Sequence, residues 1–388
     1  THSLDGEEVA KSWLNEAGMS RPGLSGVLID EFGGAPLANY RAWADGMRRV
    51  ASDPRSAGKT IFPYCSTLPD YAQARDFVSA VMETGNRFAW EVYLGEEPTR
   101  RRAEAAIDSE LRRGIIRWQA LAPGVNRRMV IALGFMSAPP ETLDRCPSAD
   151  YKVFMDVQWN VIANAPEFED LFGVLEYTSA YADEEIVRWT AQLYRHYCIE
   201  GRRDMLSTDP YELAHLRNGD FADAGAGWEV SAAEEGAVTF SSETGFGWTQ
   251  GRYPAGPAGN TFLCARRCAG AANVFSQTIR DLAPGRLYSL KMYSADLDHR
   301  SEPGLHVVSV ELGGVELLPE KSVQLDFAGC HSGSTNPPRM NFHRRVFRAR
   351  KDAAELSVSD WLRPADPGGP VGQRLAFNFI QVGPYLEE

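Results

Sequence analysis

The sequence predicts two different folds in one chain: a multidomain protein with an α/β domain over residues 1–216, either doubly wound or of the (β/α)8-barrel type, and an all-β sandwich over residues 217–388. Before residue 216, short apolar runs alternate with longer amphipathic segments, which is the pattern of an α/β protein. After it, short alternating strands are separated by glycine and turn residues, which favours a sandwich. The composition, 44 % hydrophobic and 24 % charged, is that of a globular protein.

Five short apolar runs in the first part predict the strands of a parallel sheet. They are rich in β-branched and aromatic residues and are continuous rather than alternating, as strands buried on both faces are. The runs are Leu24–Phe32, Thr60–Cys65, Phe88–Leu94, Met129–Met136 and Phe172–Thr178. The segments between and around them have helical periodicity; Asp183–Glu200 begins at an N-cap aspartate and ends before Gly201.

The second part predicts an antiparallel sandwich, because its strands follow one another without intervening helices. The predicted strands are Ala237–Phe240, Leu287–Met292, His306–Leu312, Val346–Ala349 and Ala376–Val382. Residues 209–218 read as a short connector between the two domains.

Charge and motifs exclude several function classes. The net charge of −12 argues against a nucleic-acid surface, which needs clustered Lys and Arg. No apolar run reaches the ~20 residues of a membrane-spanning helix. The sequence contains no GxGxxG, Walker, HExxH, GxSxG or CxxC motif, so nucleotide, zinc and serine-hydrolase chemistry have no support, and we expect no required cofactor.

The six cysteines leave the compartment open. Cys264 and Cys268 with Cys330 could supply one disulfide and a spare thiol, and they could equally be small buried apolar side chains. Both interpretations permit an extracytoplasmic protein.

Three segments of the second part, in the right order, resemble a carbohydrate-binding module of the galactose-binding-like jelly-roll type: Asn218–Trp228, Phe275–Tyr288 and Phe377–Pro384. Asn378 departs from the pattern, because such modules often carry Asp there. The resemblance implies a sugar ligand and admits a structural Ca²⁺ in the sandwich. Candidate exposed rings for stacking on a sugar are Trp248, Tyr253 and Trp361. A purely structural sandwich is the alternative.

Three segments of the first part resemble the later portion of a glycoside-hydrolase (β/α) barrel: Gly26–Gly34, Phe88–Glu97 and Phe172–Asp183. In each, an apolar strand ends in carboxylates, which is how such barrels present acids at their C-terminal face. The resemblance covers about five βα units. Because a full barrel has eight, we expect a separate chain or segment to supply about three further units.

The alternation of side chains along a strand predicts which acids point to the barrel centre. Assigning the bulky apolar residues of each strand to the helix side leaves Asp30, Glu91 and Glu176 pointing inward. Buried charges are costly unless they are paired or catalytic, so these acids are the main functional signal. Paired with arginines, they would instead be structural.

Glycoside hydrolysis needs two carboxyl groups on either side of the scissile bond. We predict Asp30 as nucleophile or base and Glu91 as general acid, in the aromatic surroundings of Trp90 and Tyr93. A second arrangement pairs Asp30 with Glu31 and resembles substrate-assisted N-acetylhexosaminidases, in which the Asp orients the acetamido group and the Glu is the acid. The predicted substrate-binding residues are Glu176, Tyr93, Trp90, Tyr177, Trp248 and Trp361.

Three functions therefore stay open at this stage. The first is a secreted or periplasmic glycoside hydrolase that acts on a poly- or oligosaccharide. The second is a non-catalytic carbohydrate-binding or scaffold protein that keeps the barrel as a platform. The third is a polysaccharide lyase on a barrel fold.

Overall fold

A computed structural model describes residues 4–30, 32, 37–66, 68–330 and 334–387. Its α-helices are α1 Gly6–Asn15, α2 Ala17–Ser20, α3 Asn39–Ser52, α4 Arg75–Glu83, α5 Arg100–Ile107, α6 Arg113–Leu121, α7 Tyr151–Asn164, α8 Glu184–Leu193 and α9 Phe246–Thr249. Single π-helical turns follow α5 and α8. No helix in these residues is long and apolar enough to cross a membrane.

The strands of the first part are β1 Gly26–Ile29, β2 Thr60–Cys65, β3 Phe88–Val92, β4 Met129–Gly134 and β7 Gly173–Tyr177, with the short pair β5 Ser137–Ala138 and β6 Glu141–Thr142. The strands of the second part are β8 Glu229–Ser231, β9 Val238–Ser242, β10 Thr261–Arg266, β11 Val274–Ile279, β12 Leu287–Asp296, β13 Ser309–Gly313, β14 Val315–Ala328, β15 Arg339–Ala349, β16 Ala354–Ser359 and β17 Arg374–Pro384.

The chain divides into two compact units that alternate along the sequence. The first consists of Thr1–Leu94, Ala105–Gly134 and Asn160–Tyr177, and the second of Gly95–Glu104, Phe135–Trp159 and Thr178–Glu388. The predicted domain boundary at residue 216 stays a prediction.

The first unit contains the predicted parallel sheet. All five predicted strands form, all neighbours pair in parallel, and the order β1-β2-β3-β4-β7 follows the chain. Consecutive parallel strands with helical crossovers are the arrangement of half an eight-stranded barrel. Within the described residues the sheet is open, so the expected further barrel units stay a prediction.

Helices pack closely in the first unit because small and aromatic residues alternate at the contacts. A Cβ on Gly46 of α3 would lie 2.4 Å from a methyl of Val9, so only glycine permits this approach of α1. Phe32 and Phe77 stack with ring centroids 5.2 Å apart, and the ring of Trp43 lies 4.7 Å from that of Phe32. Burial of such aromatic side chains stabilises each by roughly 1.5–3 kcal/mol.

Besides the short pair β5-β6, the second unit contains two larger antiparallel sheets, as the alternating strands predicted. One has six strands in the order β14-β15-β12-β17-β10-β9, and the other has four in the order β13-β16-β11-β8. Their apolar side chains form a shared core that includes Leu290, Phe347, Leu356 and Phe377. Each predicted strand overlaps an observed one.

The opening and closing motifs of the sandwich meet on one buried guanidinium. Arg252, which is 2 % exposed, donates to both carboxylate oxygens of Asp220, at 2.8 and 2.6 Å. It also donates to the amide oxygen of Asn378 and lies over the ring of Phe379. Asn378 in turn donates to the carbonyl oxygen of Thr261, a bond that an aspartate carboxylate could not make.

All six cysteines are free thiols, so the disulfide that Cys264, Cys268 and Cys330 could have formed is absent. Cys268 is buried and its thiol donates to the carbonyl oxygen of Arg266. Cys330 is exposed and its thiol donates to a carboxylate oxygen of Glu141, 3.2 Å away.

A cluster of buried charges lies in the second unit. The ammonium group of Lys291 is 2.7 Å from the Asp144 carboxylate, and that of Lys152 is 3.0 Å from Glu185. Burial alone would lower the pKa of each lysine, but the neighbouring carboxylates more than offset it, so both pKa values are raised. Both lysines are therefore charged at neutral pH.

Glu96 belongs to the same cluster and has a raised pKa. Its side chain is fully buried, and burial, followed by the charges of Asp144 and Asp150, raises its pKa well above the ordinary value. The unfolded chain loses the Glu96 proton near pH 4.3, so folding takes up a proton at higher pH and stability falls as the pH rises through the folded-state pKa.

We therefore expect Glu96→Gln to reduce the loss of stability between pH 5 and pH 8, because a neutral amide replaces a carboxyl that must otherwise stay protonated. Urea unfolding of both proteins at the two pH values measures the difference. Glu320→Gln, on an exposed position of β14, is the matched control. A wild-type-like pH dependence in the Glu96 variant would contradict the protonation assigned here.

Candidate active site

Asp30 and Glu91 point to the same face of the five-stranded sheet. Residues paired between neighbouring strands share a face, and so does every second residue along one strand. Leu28 pairs with Phe62, so their face of the sheet carries Asp30 just beyond β1. In β2 this face continues at Tyr64, which pairs with Ala89 of β3. Glu91 is two positions after Ala89 and therefore lies on the same face. The register therefore puts both acids on one face of the sheet, and their orientation toward a barrel centre stays a prediction.

Three tyrosines lie near the two acids on this face. We call the group of Asp30, Tyr64, Glu91, Tyr93 and Tyr177 the acid–tyrosine face. The hydroxyl groups of Tyr64 and Tyr93 share a hydrogen bond. The rings of Tyr93 and Tyr177 stack with centroids 5.4 Å apart and an interplanar angle of 12°.

The two hydrogen-bonded tyrosines are neutral at ordinary pH. Burial raises the pKa of Tyr64, the hydrogen bond with Tyr93 opposes this in part, and the charges of Glu91 and Asp30 add smaller increases. Burial and the hydrogen bond with Tyr64 raise the pKa of Tyr93. Both hydroxyls therefore keep their protons. Because one of the two protons is used in the hydrogen bond between them, one hydroxyl is left to donate next to the carboxylates. Tyr64 is not among the predicted site residues, although the alternation of side chains along β2 puts it on the same face as Phe62.

Glu176 does not belong to this face, and its predicted inward orientation is wrong. In the register of β7 with β4, Glu176 pairs with Leu133, while Leu175 pairs with Ala132, the partner of Glu91. Leu175 packs against Ala132 in the apolar cluster that underlies the face. The prediction from side-chain alternation failed here because β7 is the edge strand of the described sheet, and both of its faces are only partly buried.

Trp90 is also on the other face, as its alternation with Glu91 requires. Its side chain is 4 % exposed, and a Cβ on Gly114 of α6 would lie 2.5 Å from its six-membered ring. The indole therefore fills the helix layer and does not line the acid–tyrosine face, which corrects its prediction as a substrate-binding residue there. Glu31, the alternative catalytic residue, lies outside the described residues.

The two tryptophans predicted to bind sugar in the sandwich differ in exposure. Trp361 is 6 % exposed, so its ring presents no open surface and its prediction as an exposed stacking ring is wrong. Trp248 lines a cavity of about 220 Å³, named the tryptophan cavity, together with Glu141, Pro140 and Pro338. The ring of Tyr253 lies 6.3 Å from that of Trp248.

No group of three or more His, Cys, Asp or Glu side chains in the described ranges is placed to hold a metal ion. The structural Ca²⁺ that the sandwich resemblance admits stays a prediction. What the acid–tyrosine face offers chemically is two carboxyl groups, protonated hydroxyls and a stacked aromatic pair at the carboxyl ends of parallel strands. That is the end at which barrel-type sheets carry their active sites.

No family model matches the chain, and no curated protein matches it. Among solved structures, TmCBM61 in complex with β-1,4-galactotriose matches 44 % of this chain and 97 % of its own, with 14 % identity and a TM-score of 0.26. A Bacteroides thetaiotaomicron protein described as sugar-binding matches 44 % of this chain and 99 % of its own, with 11 % identity and a TM-score of 0.24.

The enzymatically active domain of tailspike protein 4 from bacteriophage CBA120 is similar over 66 % of this chain and 30 % of its own, with 14 % identity and a TM-score of 0.28. A protein solved with a bound oligosaccharide and one described as sugar-binding thus occur among the similar structures. Identities and TM-scores this low carry no argument about function, so the function is argued from the residues of this chain.

Proposed function

We propose that this protein hydrolyses O-glycosidic bonds of a poly- or oligosaccharide, with Asp30 and Glu91 as the carboxyl pair. The observation that carries the proposal is that both acids share one face at the carboxyl ends of β1 and β3. In the proposed reaction Glu91 protonates the leaving oxygen, and Asp30 attacks the anomeric carbon or activates water.

The tyrosines of the same face support this chemistry. The stacked pair of Tyr93 and Tyr177 offers an aromatic surface against which the apolar C–H face of a sugar ring can pack. The neutral hydroxyl of Tyr64, next to both acids, is a donor for a sugar oxygen or for the carboxylate that develops during the reaction. None of these steps needs a cofactor.

Sugar binding without catalysis is the second candidate function, and the tryptophan cavity favours it. The lining of this cavity is mainly apolar, with one indole ring and the Glu141 carboxyl group. An aromatic ring beside a single polar group is a common arrangement in small-ligand sites.

A polymeric substrate would place the protein outside the cytoplasm, secreted or in the periplasm.

The test is a screen of the full chain against a panel of defined oligo- and polysaccharides. Hydrolysis is followed by new reducing ends, and absorbance at 235 nm reports the unsaturated product of a lyase. New reducing ends without the 235 nm signal support a hydrolase. An unsaturated product indicates the lyase, whereas binding to a glycan that is never cleaved favours the non-catalytic candidate.

A further inference from the structure

The amino half of the sheet face that carries the two acids leaves large apolar side chains open to solvent. Leu28 on β1 pairs with Phe62 on β2, so both lie on this face, and Leu28 is 49 % exposed. Phe172, which directly precedes β7, is 50 % exposed. All-parallel sheets occur almost only with both of their faces covered. The exposed side chains therefore mark a surface that a further polypeptide can cover.

Arg87 lies over both aromatic rings of this surface. It directly precedes β3 and is two positions before Ala89, so the alternation of side chains places it on the same face. Its guanidinium carbon is 4.0 Å from the ring centroid of Phe172 and 5.9 Å from that of Phe62. Two rings hold this long side chain in place before a partner arrives, which lowers the entropy cost of binding. We call Leu28, Phe62, Arg87 and Phe172 the arginine–aromatic strip.

The Arg87 guanidinium has no carboxylate partner in the described part of the chain. Its Nη1 donates to the hydroxyl oxygen of Thr60 at 3.3 Å. Its Nε–H is buried and has no acceptor among the described residues. A buried donor without an acceptor is costly, and a carboxylate that binds in a bidentate pair satisfies Nε and Nη2 together. The charge of the strip therefore complements an acidic side chain.

The structure has room for a partner's side chain beside the strip. Gly173, the first residue of β7, is two positions before Leu175 and lies on the same face. A Cβ added to Gly173 would meet no atom within 4 Å. The face is therefore open next to Phe172.

We propose that a partner protein covers the arginine–aromatic strip with a segment that places one carboxylate on Arg87. Apolar side chains on either side of that carboxylate pack against Leu28, Phe62 and Phe172. The strip crosses the sheet from β1 to β7, roughly 19 Å over four strand spacings, which a peptide segment spans. The net charge of −12 disfavours a nucleic acid as the partner. A small anion would pair with Arg87 but would leave the apolar side chains exposed.

The proposal does not rest on the proposed hydrolysis. The strip lies at the amino ends of the strands, and it shares no residue with the acid–tyrosine face at their carboxyl ends. It concerns the cover of one face of the sheet, whatever the number of strands that pair with its edges.

The probe is a phage library of random peptides of about 16 residues, selected on the full chain and depleted on the Arg87→Gln variant. Such a peptide spans the strip as a helix or as a strand. We expect the recovered peptides to be enriched in Asp or Glu with apolar neighbours. Fluorescence anisotropy of the best synthetic peptide should show at least tenfold weaker binding to Arg87→Gln.

Further variants locate the binding. Gly173→Met should weaken the peptide to a similar extent, because its side chain fills the open space beside Phe172. Arg75→Gln, at an exposed position of α4, is the matched control and should leave binding unchanged. Changing the peptide's acid to its amide should weaken binding to the unmodified chain at least tenfold and to Arg87→Gln by little, because the carboxylate has already lost its partner there.

Several outcomes would overturn the proposal. Recovery of no peptide would do so, as would peptides without acids or peptides that bind equally to Arg87→Gln. Dimerisation of the chain that disappears in Arg87→Gln would make a second copy the occupant, and tight binding of single-stranded DNA lost in the same variant would make it a nucleic acid. Urea unfolding checks each variant, and Gly173→Met carries the test if Arg87→Gln does not fold. Failure of glycan hydrolysis would reject the proposed function alone and leave the peptide result standing.

Discussion

We expect Glu91→Gln to lower kcat for the proposed glycan hydrolysis by about a hundredfold to ten-thousandfold, the range for loss of a general acid. Glutamine keeps the size of the side chain and its capacity for hydrogen bonding, but it has no proton to give to the leaving oxygen. Because Glu91 is half-buried beside Tyr64 and Tyr93, the exchange leaves the packing of the face intact.

Asp30→Asn should have an effect of similar size, since an amide can neither attack the anomeric carbon nor take a proton from water. Initial rates on the best substrate from the glycan panel measure both variants, and circular dichroism confirms that they fold.

The matched control is Glu176→Gln. It is the same substitution in the same sheet, but Glu176 lies on β7 and on the opposite face. It should hydrolyse the substrate at nearly the wild-type rate. A Glu176 variant as impaired as the Glu91 variant would contradict the assignment of faces, and full activity in the Glu91 variant would remove Glu91 from the reaction.

The strands could be predicted because their signal is local. Five apolar runs with β-branched and aromatic residues each gave one strand, and their alternation with helices fixed the parallel order. Side-chain orientation followed correctly in β3, where Phe88 and Trp90 are buried on the helix side. It failed in β7, because both faces of this edge strand are partly buried and so neither face is marked by apolar residues alone.

What the sequence could not predict depends on contacts between distant residues. Trp248 and Trp361 are both tryptophans near turns, yet one lines a cavity and the other is buried, and no nearby residue distinguishes them. The ion-pair partner of Asp220 could not be predicted from the sequence either. The segment around Asp220 carries part of the resemblance to a jelly-roll module, but its physical reason is Arg252, 32 positions away, together with Asn378 in the last strand.

Asp220→Ala should lower the free energy of unfolding by about 3–5 kcal/mol, the cost of removing one partner of a buried ion pair. The guanidinium of Arg252 would stay buried at 2 % exposure with its charge uncompensated by Asp220. It would retain only polar acceptors, such as the carbonyl oxygen of Arg145 and the amide oxygen of Asn378. Urea unfolding at pH 7 measures the loss.

The control is the ion pair of Asp298 and Arg374, which has comparable geometry at 2.6 Å but side chains that are 30 % and 53 % exposed. Water screens this pair, so Asp298→Ala should cost about 1 kcal/mol or less. The double variant Asp220→Ala with Arg252→Met should lose less than the sum of the two single variants, because no unpaired charge is left in the core. Equal losses for Asp220→Ala and Asp298→Ala, or strict additivity in the double variant, would show that the sandwich does not depend on this buried pair.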